Sequence, residues 1–285
     1  MPDRRWADLH LHTRWSDGTL DLVAMVKRAK GIGLSAIAIT DHDTIGPDLL
    51  APEMPLDGVE VICGVEVKAE VVGEKGEILG YFLSPGHPAL RELFAWMAEA
   101  RRRRMEGMVR RCQEVLGSPI DLAEVTAGAA GSVGRPHLAA VLVQRGLALD
   151  YEDAFRRFLS EGTPCYVPLP RPTSRHVIAA IRAAGGVASL AHPCFLSLGN
   201  WEEALTALAG EDLAAVEVYY PYESSRQILR ADPAAVEAMV DELGLIPTGG
   251  SDDPGPGSVK DSIGSVRIPY SPVVDRLRSL SGAVT

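Results

Sequence analysis

With 285 residues, 46% of them hydrophobic and 23% charged, the chain has a globular balance and the length for one large α/β domain, or for a barrel interrupted by a smaller domain. A formal net charge of −10 argues against a surface that coats nucleic acid, although carboxylates gathered around metal ions would inflate that figure and a local anion site stays open. Cys63, Cys112, Cys165 and Cys194 lie far apart and indicate neither a zinc knuckle nor a disulfide framework; with no apolar run near the length of a signal segment or membrane span, a soluble, unprocessed, cytoplasmic chain is expected.

Residues 6–12 read as a strand, residues 20–32 as an amphipathic helix stopped at Gly33, and residues 34–40 as a buried strand, which together make one βαβ unit. Residues 59–72 and 77–83 read as two strands joined by the turn Val72-Gly73-Glu74-Lys75-Gly76. From Ala89 to about Glu161 the pattern is almost wholly helical, with segments near 90–116, 121–128, 135–145 and 151–160. A proline-rich connector follows over 164–172. Alternation then resumes as helix 174–184, strand 186–192, helix 201–208, strand 214–220, helix 233–243 and strand 245–249. Parallel strands with crossover helices are implied, and the expected division is 1–88 with 165–285 as one discontinuous α/β domain and 89–164 as an inserted helical subdomain.

The first strand carries the most informative residues. His10 and His12 stand at i and i+2, so on a strand both imidazoles point the same way, and Ser16-Asp17-Gly18 supplies a turn able to bring Asp17 back over the strand end. Imidazole nitrogen with carboxylate oxygen suits zinc, manganese or iron. Ordinary strand histidines and a solvated turn aspartate are the alternative. Later strands end in similar chemistry: Asp41-His42-Asp43 after 34–40, Glu66 on 59–72, His192-Pro193 after 186–191, and Ser251-Asp252-Asp253 after 245–249. Each alone reads as a turn cap or a surface residue. Their recurrence at the same end of successive strands, where barrels collect their chemistry, favours one shared site.

Asp8-Leu9-His10-Leu11-His12-Thr13 with Ser16-Asp17-Gly18, then Ile39-Thr40-Asp41-His42-Asp43, Gly64-Val65-Glu66, Leu190-Ala191-His192-Pro193 and Gly250-Ser251-Asp252 occur in order over residues 8–252. In this the chain resembles the PHP (polymerase and histidinol phosphatase) family. The helical interruption and Gly134-Arg135-Pro136-His137-Leu138-Ala139 are most similar to its stand-alone phosphoesterases of nucleoside 3′,5′-bisphosphates and short oligonucleotide ends. The resemblance implies a distorted seven-stranded (β/α) barrel with two or three divalent ions, manganese, zinc or iron. It assigns His10, His12, Glu66 and Asp252 to a first ion, Glu66 and His192 to a second, and Asp17 and His42 to a third.

Two positions depart from that pattern. A histidine usual before Leu-Gly-Tyr is Glu77 here, and the histidine expected two residues after Asp252 is Pro254. Glu77 is therefore a possible ligand that favours a harder ion, while at Pro254 only a reoriented Asp253, water or substrate would fill the place. The first site is expected to be the firmest and the third the weakest.

The resemblance implies hydrolysis of a phosphate ester of a nucleotide-like small molecule or short oligonucleotide end, by attack of a metal-activated hydroxide on phosphorus. Arg135 would bind phosphate through paired hydrogen bonds and His137 would bind phosphate or protonate the leaving group; a helix start with Pro136 in its first turn is the other reading. A basic residue implied near Glu161-Gly162-Thr163-Pro164 is replaced by Thr163. Arg101 to Arg104, with Arg110 and Arg111, are interspersed with Glu99, Glu106 and Glu114, which reads as a solvated helix face more than an oligonucleotide patch, and Tyr219-Tyr220-Pro221-Tyr222 offers either base stacking or rim packing. The expected partner is a small phosphorylated substrate, with neither duplex nucleic acid nor membrane, and the sequence assigns no oligomeric state. Two other readings stand: a degenerate protein that binds metal and a phosphorylated ligand without turnover, and a metal-dependent C–N hydrolase.

Overall fold

The computed structural model describes residues 5–127, 133–225, 227–256 and 262–282; Gly128, the expected end of one helix, lies outside them. By its internal contacts the chain forms two units, Met1–Leu93 with Pro172–Thr285, and Phe94–Arg171.

The first unit is built on strands β1 (Trp6–Leu11), β2 (Ala36–Ile39), β3 (Glu53–Leu56), β4 (Val59–Val71), β5 (Glu74–Tyr81), β6 (Val187–Leu190), β7 (Leu213–Tyr219), β8 (Ile246–Gly249) and β9 (Ile268–Pro269). Seven of them run in the order β8-β7-β6-β5-β4-β2-β1, with β9 beside β1 and β3 paired to β4. Just beyond the last strand, the Asp252 N–H donates to the His10 carbonyl at 2.8 Å and the His12 N–H to the Asp253 carbonyl at 3.1 Å. These bonds draw the two ends of the seven-stranded series together, so the sheet is a nearly closed barrel. Gly250 makes the approach feasible, since a Cβ there would lie 2.3 Å from the His10 Cβ.

Helix α1 (Leu22–Gly31) returns the chain between β1 and β2, with the Asp21 carboxylate accepting from the Ala24 N–H as its N-cap. All four residues of β2 are buried, as expected of a parallel strand covered on both faces. The neighbours of β2 are parallel, whereas β5 is antiparallel to both β4 and β6. The hairpin between β4 and β5 is tighter than the five-residue turn read from sequence: Val72 and Gly73, with φ of 49° and 82°, reverse the chain, and β5 begins at Glu74.

In the second unit, α2 (which begins in the first unit; Pro88–Leu116), α3 (Leu122–Ala127), α4 (Arg135–Gln144) and α5 (Tyr151–Ala154, continued by a wider turn over Phe155–Leu159) enclose a core that includes Met108, Leu138, Leu142 and Leu159. Back in the first unit, α6 (Ser174–Ala183), α7 (Trp201–Ala209) and α8 (Pro233–Glu242) connect the later strands, and α9 (Asp275–Leu280) follows β9. Among the described residues no helix is long and apolar enough to cross a membrane. Sequence reading missed β3, β9 and α9: the first contains Pro55 and buries none of its side chains, and the second is two residues long.

Candidate metal centre

Residues i and i+2 of a strand share a face, and this rule places most of the centre. On β1 it aligns Asp8 and His10 and continues to His12; on β4 it aligns Glu66 with Lys68. The His10 Nε2 stands 3.4 Å from Glu66 Oε2 and 3.8 Å from Asp252 Oδ1, while His12 Nε2 stands 3.6 Å and 3.1 Å from the same two oxygens. The other Glu66 oxygen lies 2.9 Å from His192 Nε2, and Oε2 is also 2.9 Å from His42 Nδ1. Asp17, on an exposed turn, reaches His12 Nδ1 at 3.6 Å and His42 Nε2 at 3.7 Å. A Cβ at Gly18 would lie 2.4 Å from the His12 carbonyl oxygen, so glycine lets that turn sit against the strand end.

Glu77 also points into the cluster, with Oε2 at 3.3 Å from His192 Nε2 and Oε1 at 3.9 Å from His42 Nδ1. Three overlapping groups thus bring candidate donor atoms within 4.8 Å of one another: His10 with His12 and Glu66, His12 with Asp17 and His42, and His42 with Glu66 and Glu77.

The donor set fits divalent ions for a reason beyond proximity. His10 Nε2, both ring nitrogens of His12 and Glu66 Oε2 are buried yet make no well-directed hydrogen bond, a costly state for polar atoms in an interior. Their lone pairs converge on shared space instead of on each other. One ion there would satisfy His10 Nε2, His12 Nε2 and Glu66 Oε2, while His12 Nδ1 faces Asp17 on the other edge of its ring, and imidazole nitrogen with carboxylate oxygen is the chemistry of zinc, manganese and iron sites.

The electrostatics agree. Burial opposes charge on His10, but Glu217, Glu66 and Asp252 outweigh it and raise its pKa well above the ordinary value. Burial likewise opposes charge on His192, yet hydrogen bonding and attraction from Glu66 and Glu77 raise it to about 10. Burial would push Glu66 and Asp252 up; His10 together with His42 holds Glu66 well below the usual carboxylate range, and His10 with His12 does the same for Asp252. The metal-free centre therefore prefers imidazolium paired with carboxylate, a positive charge that metal ions would supply.

Neighbouring groups orient the candidate ligands. Glu217 Oε1 lies 2.8 Å from His10 Nδ1, and its Oε2 accepts from the His192 N–H at 2.8 Å. Sequence reading missed this residue; its signal was a lone charge within Val216-Glu217-Val218 on an apolar strand. The Tyr220 hydroxyl donates to Asp252 Oδ2 at 2.6 Å, and Tyr220 and Tyr222 are both buried, so base stacking by these two is replaced by packing and hydrogen bonding. Asp8 accepts from the Ser251 N–H, the Ser251 hydroxyl and the Gly264 N–H, fixing the loop that carries Asp252. Two candidate ligands occupy the left-handed region, His192 at φ 27° and Asp252 at φ 52°, a local strain typical of functional sites.

Not every acidic residue at the rim belongs to the ligand set. Asp41 accepts from the Thr13 N–H and hydroxyl and from the Ser16 hydroxyl, and Asp43 accepts from the Lys68 N–H. Asp253 does not turn to fill the place left by Pro254. Its carboxylate accepts from Arg28 and from the Gly255 and Ser262 N–H groups, bonds that close its own loop.

Arg135 and His137 lie in the second unit, in the first turn of α4. The Arg135 guanidinium lies over the Phe155 ring at 5.3 Å and donates to the Leu159 carbonyl at 3.4 Å. The Gly134 N–H donates to His137 Nδ1 at 3.1 Å, a capping contact. Along α2, Arg102 pairs with Glu99 and Glu106 and Arg103 pairs with Glu99, as a solvated helix face would.

Sequence comparison matches residues 8–158 to the PHP domain. The chain is 34% identical over 218 residues to the 5'-3' exoribonuclease Rnm of Escherichia coli K12, covering 73% of each chain. It is 30% identical over 203 residues to the 3',5'-nucleoside bisphosphate phosphatase of Chromobacterium violaceum, covering 68% of each. Among solved structures, a protein assigned as a metal-dependent phosphoesterase from Bifidobacterium adolescentis superposes with a TM-score of 0.72 at 28% identity, over 100% of this chain and 99% of that one. A match spanning more than half of the residues, joined to relatives at about one-third identity, makes this chain a member of the PHP family.

Proposed function

We propose that this chain, a metal-dependent phosphoric ester hydrolase of the PHP family, removes or cleaves a phosphate ester on a nucleotide-like small molecule or a short oligonucleotide end. The observation that carries the proposal is the convergence of unpartnered buried donors of His10, His12 and Glu66 beside Asp252, His192 and Glu77. His10, His12, Glu66 and Asp252 would hold one ion, Glu66, His192 and Glu77 a second, and Asp17 with His42 a weaker third. Bound there, the ions would supply Lewis acidity, lowering the pKa of water and neutralising phosphoryl oxygens.

The residues of the chain do the rest of the positioning. Glu217 fixes His10 and the backbone of His192 with one carboxylate, and Tyr220 holds Asp252 by its second oxygen. Two carboxylates in the second site, Glu66 and Glu77, favour a harder ion such as manganese. For Arg135 the phosphate-binding role rests on the Gly134-Arg135-Pro136-His137 resemblance and on the fit of a guanidinium to two phosphate oxygens. His137 is proposed to bind phosphate or to protonate the leaving group. Substrates of the two curated relatives, RNA ends and nucleoside bisphosphates, define the class to test.

The experiment is release of inorganic phosphate or nucleotide, with manganese added, from nucleoside 3',5'-bisphosphates, 5'-phosphorylated oligonucleotides and simple phosphomonoesters. Turnover of the nucleotide substrates above the simple esters is expected. A metal-loaded chain that turns over none of them would refute the proposal and favour a binding protein.

A further inference from the structure

Lys68 places an ammonium inside the cluster of candidate ligands. It is the register partner of Glu77 across β4 and β5, on the face of β4 that carries Glu66. Its Nζ lies 3.4 Å from Glu77 Oε1, 3.3 Å from His42 Nδ1 and 3.9 Å from Asp43 Oδ2. The side chain is 29% exposed, so a lysine free to extend into water instead turns its charge inward. Glu77 is thereby divided, with one oxygen toward Lys68 and the other 3.3 Å from His192 Nε2.

We infer that Lys68 is the charge partner of Glu77 and sets the affinity of the ion held by Glu66, Glu77 and His192. This rests on the ligand assignment proposed above. A carboxylate ligand adds a full negative charge to a site, which tightens a dication; an ammonium bonded to its far oxygen cancels that charge and repels the same dication. The paired residues leave the site with the net charge of a neutral ligand while keeping an oxygen donor. Lys68 acts through Glu77 and is a positioning residue. An ion pair with a merely structural role would lower thermal stability when broken but would not tighten a metal site.

The test is a competitive titration of chelator-stripped protein with zinc and with manganese, with bound metal counted by mass spectrometry. Lys68→Met is expected to tighten the second ion by about tenfold or more, and Glu77→Gln to weaken it by a similar factor. The double variant should fall near wild type, and Lys68→Arg, which keeps the charge, should match wild type. Lys68→Met that binds the second ion no tighter than wild type overturns the inference. Glu66→Ala separates the two readings: if it keeps the full number of ions, the ligand assignment falls and this inference with it. If it loses ions while Lys68→Met changes nothing, only the role of Lys68 falls.

Discussion

His10 Nδ1 and Glu217 Oε1 lie 2.8 Å apart, both wholly buried, although 207 residues separate them in the chain. The bond fixes which nitrogen of His10 faces Glu66 and Asp252, and the second oxygen of Glu217 holds the backbone of His192. One carboxylate thereby orients a donor on β1 and another just beyond the end of β6. Glu217→Gln should lower metal affinity roughly 10- to 100-fold, the usual effect of losing a carboxylate behind a metal-binding histidine. Titration against a competing chelator checks this, and unchanged affinity would show that His10 is oriented by packing alone.

Tyr220 donates to Asp252 Oδ2 at 2.6 Å, leaving Oδ1 toward His10 and His12. Tyr220→Phe keeps the ring and removes the hydroxyl that holds Asp252, so a loss of about 1 to 2 kcal/mol, roughly 5- to 30-fold in affinity for the first ion, is expected. The same titration with the phenylalanine variant decides it; no change would mean Asp252 is held by its loop.

Asp8 accepts three hydrogen bonds from Ser251 and Gly264, and burial raises its pKa to about 6 despite them. Asp8→Asn sets an amide N–H2 among donors and should destabilise the protein by about 2 to 3 kcal/mol. Chemical denaturation measures the loss. Full stability in the variant would contradict a loop locked by Asp8.

The metal-free protein should show a pH window. His192, raised from 6.5 to about 10 in the fold, contributes stability that is complete below 6.5 and lost as pH rises toward 10. Glu66 and Asp252, held low, contribute stability present above their ordinary values of 4.5 and 3.8 and lost as pH falls further. Asp8, raised from 3.8 to about 6, acts in the opposite sense, and its contribution is lost as pH rises toward 6. Thermal melts in chelator should therefore peak at about pH 4.5 and decline toward pH 10, and added metal should remove the decline above pH 6.5. A flat melting temperature from pH 6.5 to 10 without metal would count against the charged cluster.

Much of the candidate centre was legible because strands impose a period of two: His10 and His12 announce a shared face, and strand ends then bring Glu66, His192 and Asp252 near it. What escaped depends on partners distant in sequence. Glu217 gains its role from strands β1 and β6, and Lys68 from its register opposite Glu77, neither of which local pattern reveals. Asp253 looked like a spare ligand, and only the folded loop shows its oxygens engaged by Arg28, Gly255 and Ser262. The aromatic run at Tyr219 to Tyr222 left base stacking and rim packing both open, and the fold buries Tyr220 and Tyr222 as rim packing does and leaves Tyr219 bonded to Glu237.

The most direct test strips the protein with chelator, restores manganese, and follows both bound metal and phosphate release from a nucleoside 3',5'-bisphosphate in wild type, His10→Ala and Asp252→Ala. Wild type should regain metal and turnover together, while each variant loses tight binding of the first ion and nearly all activity. Either variant that keeps wild-type metal content and wild-type turnover would contradict a centre built on His10, His12, Glu66 and Asp252.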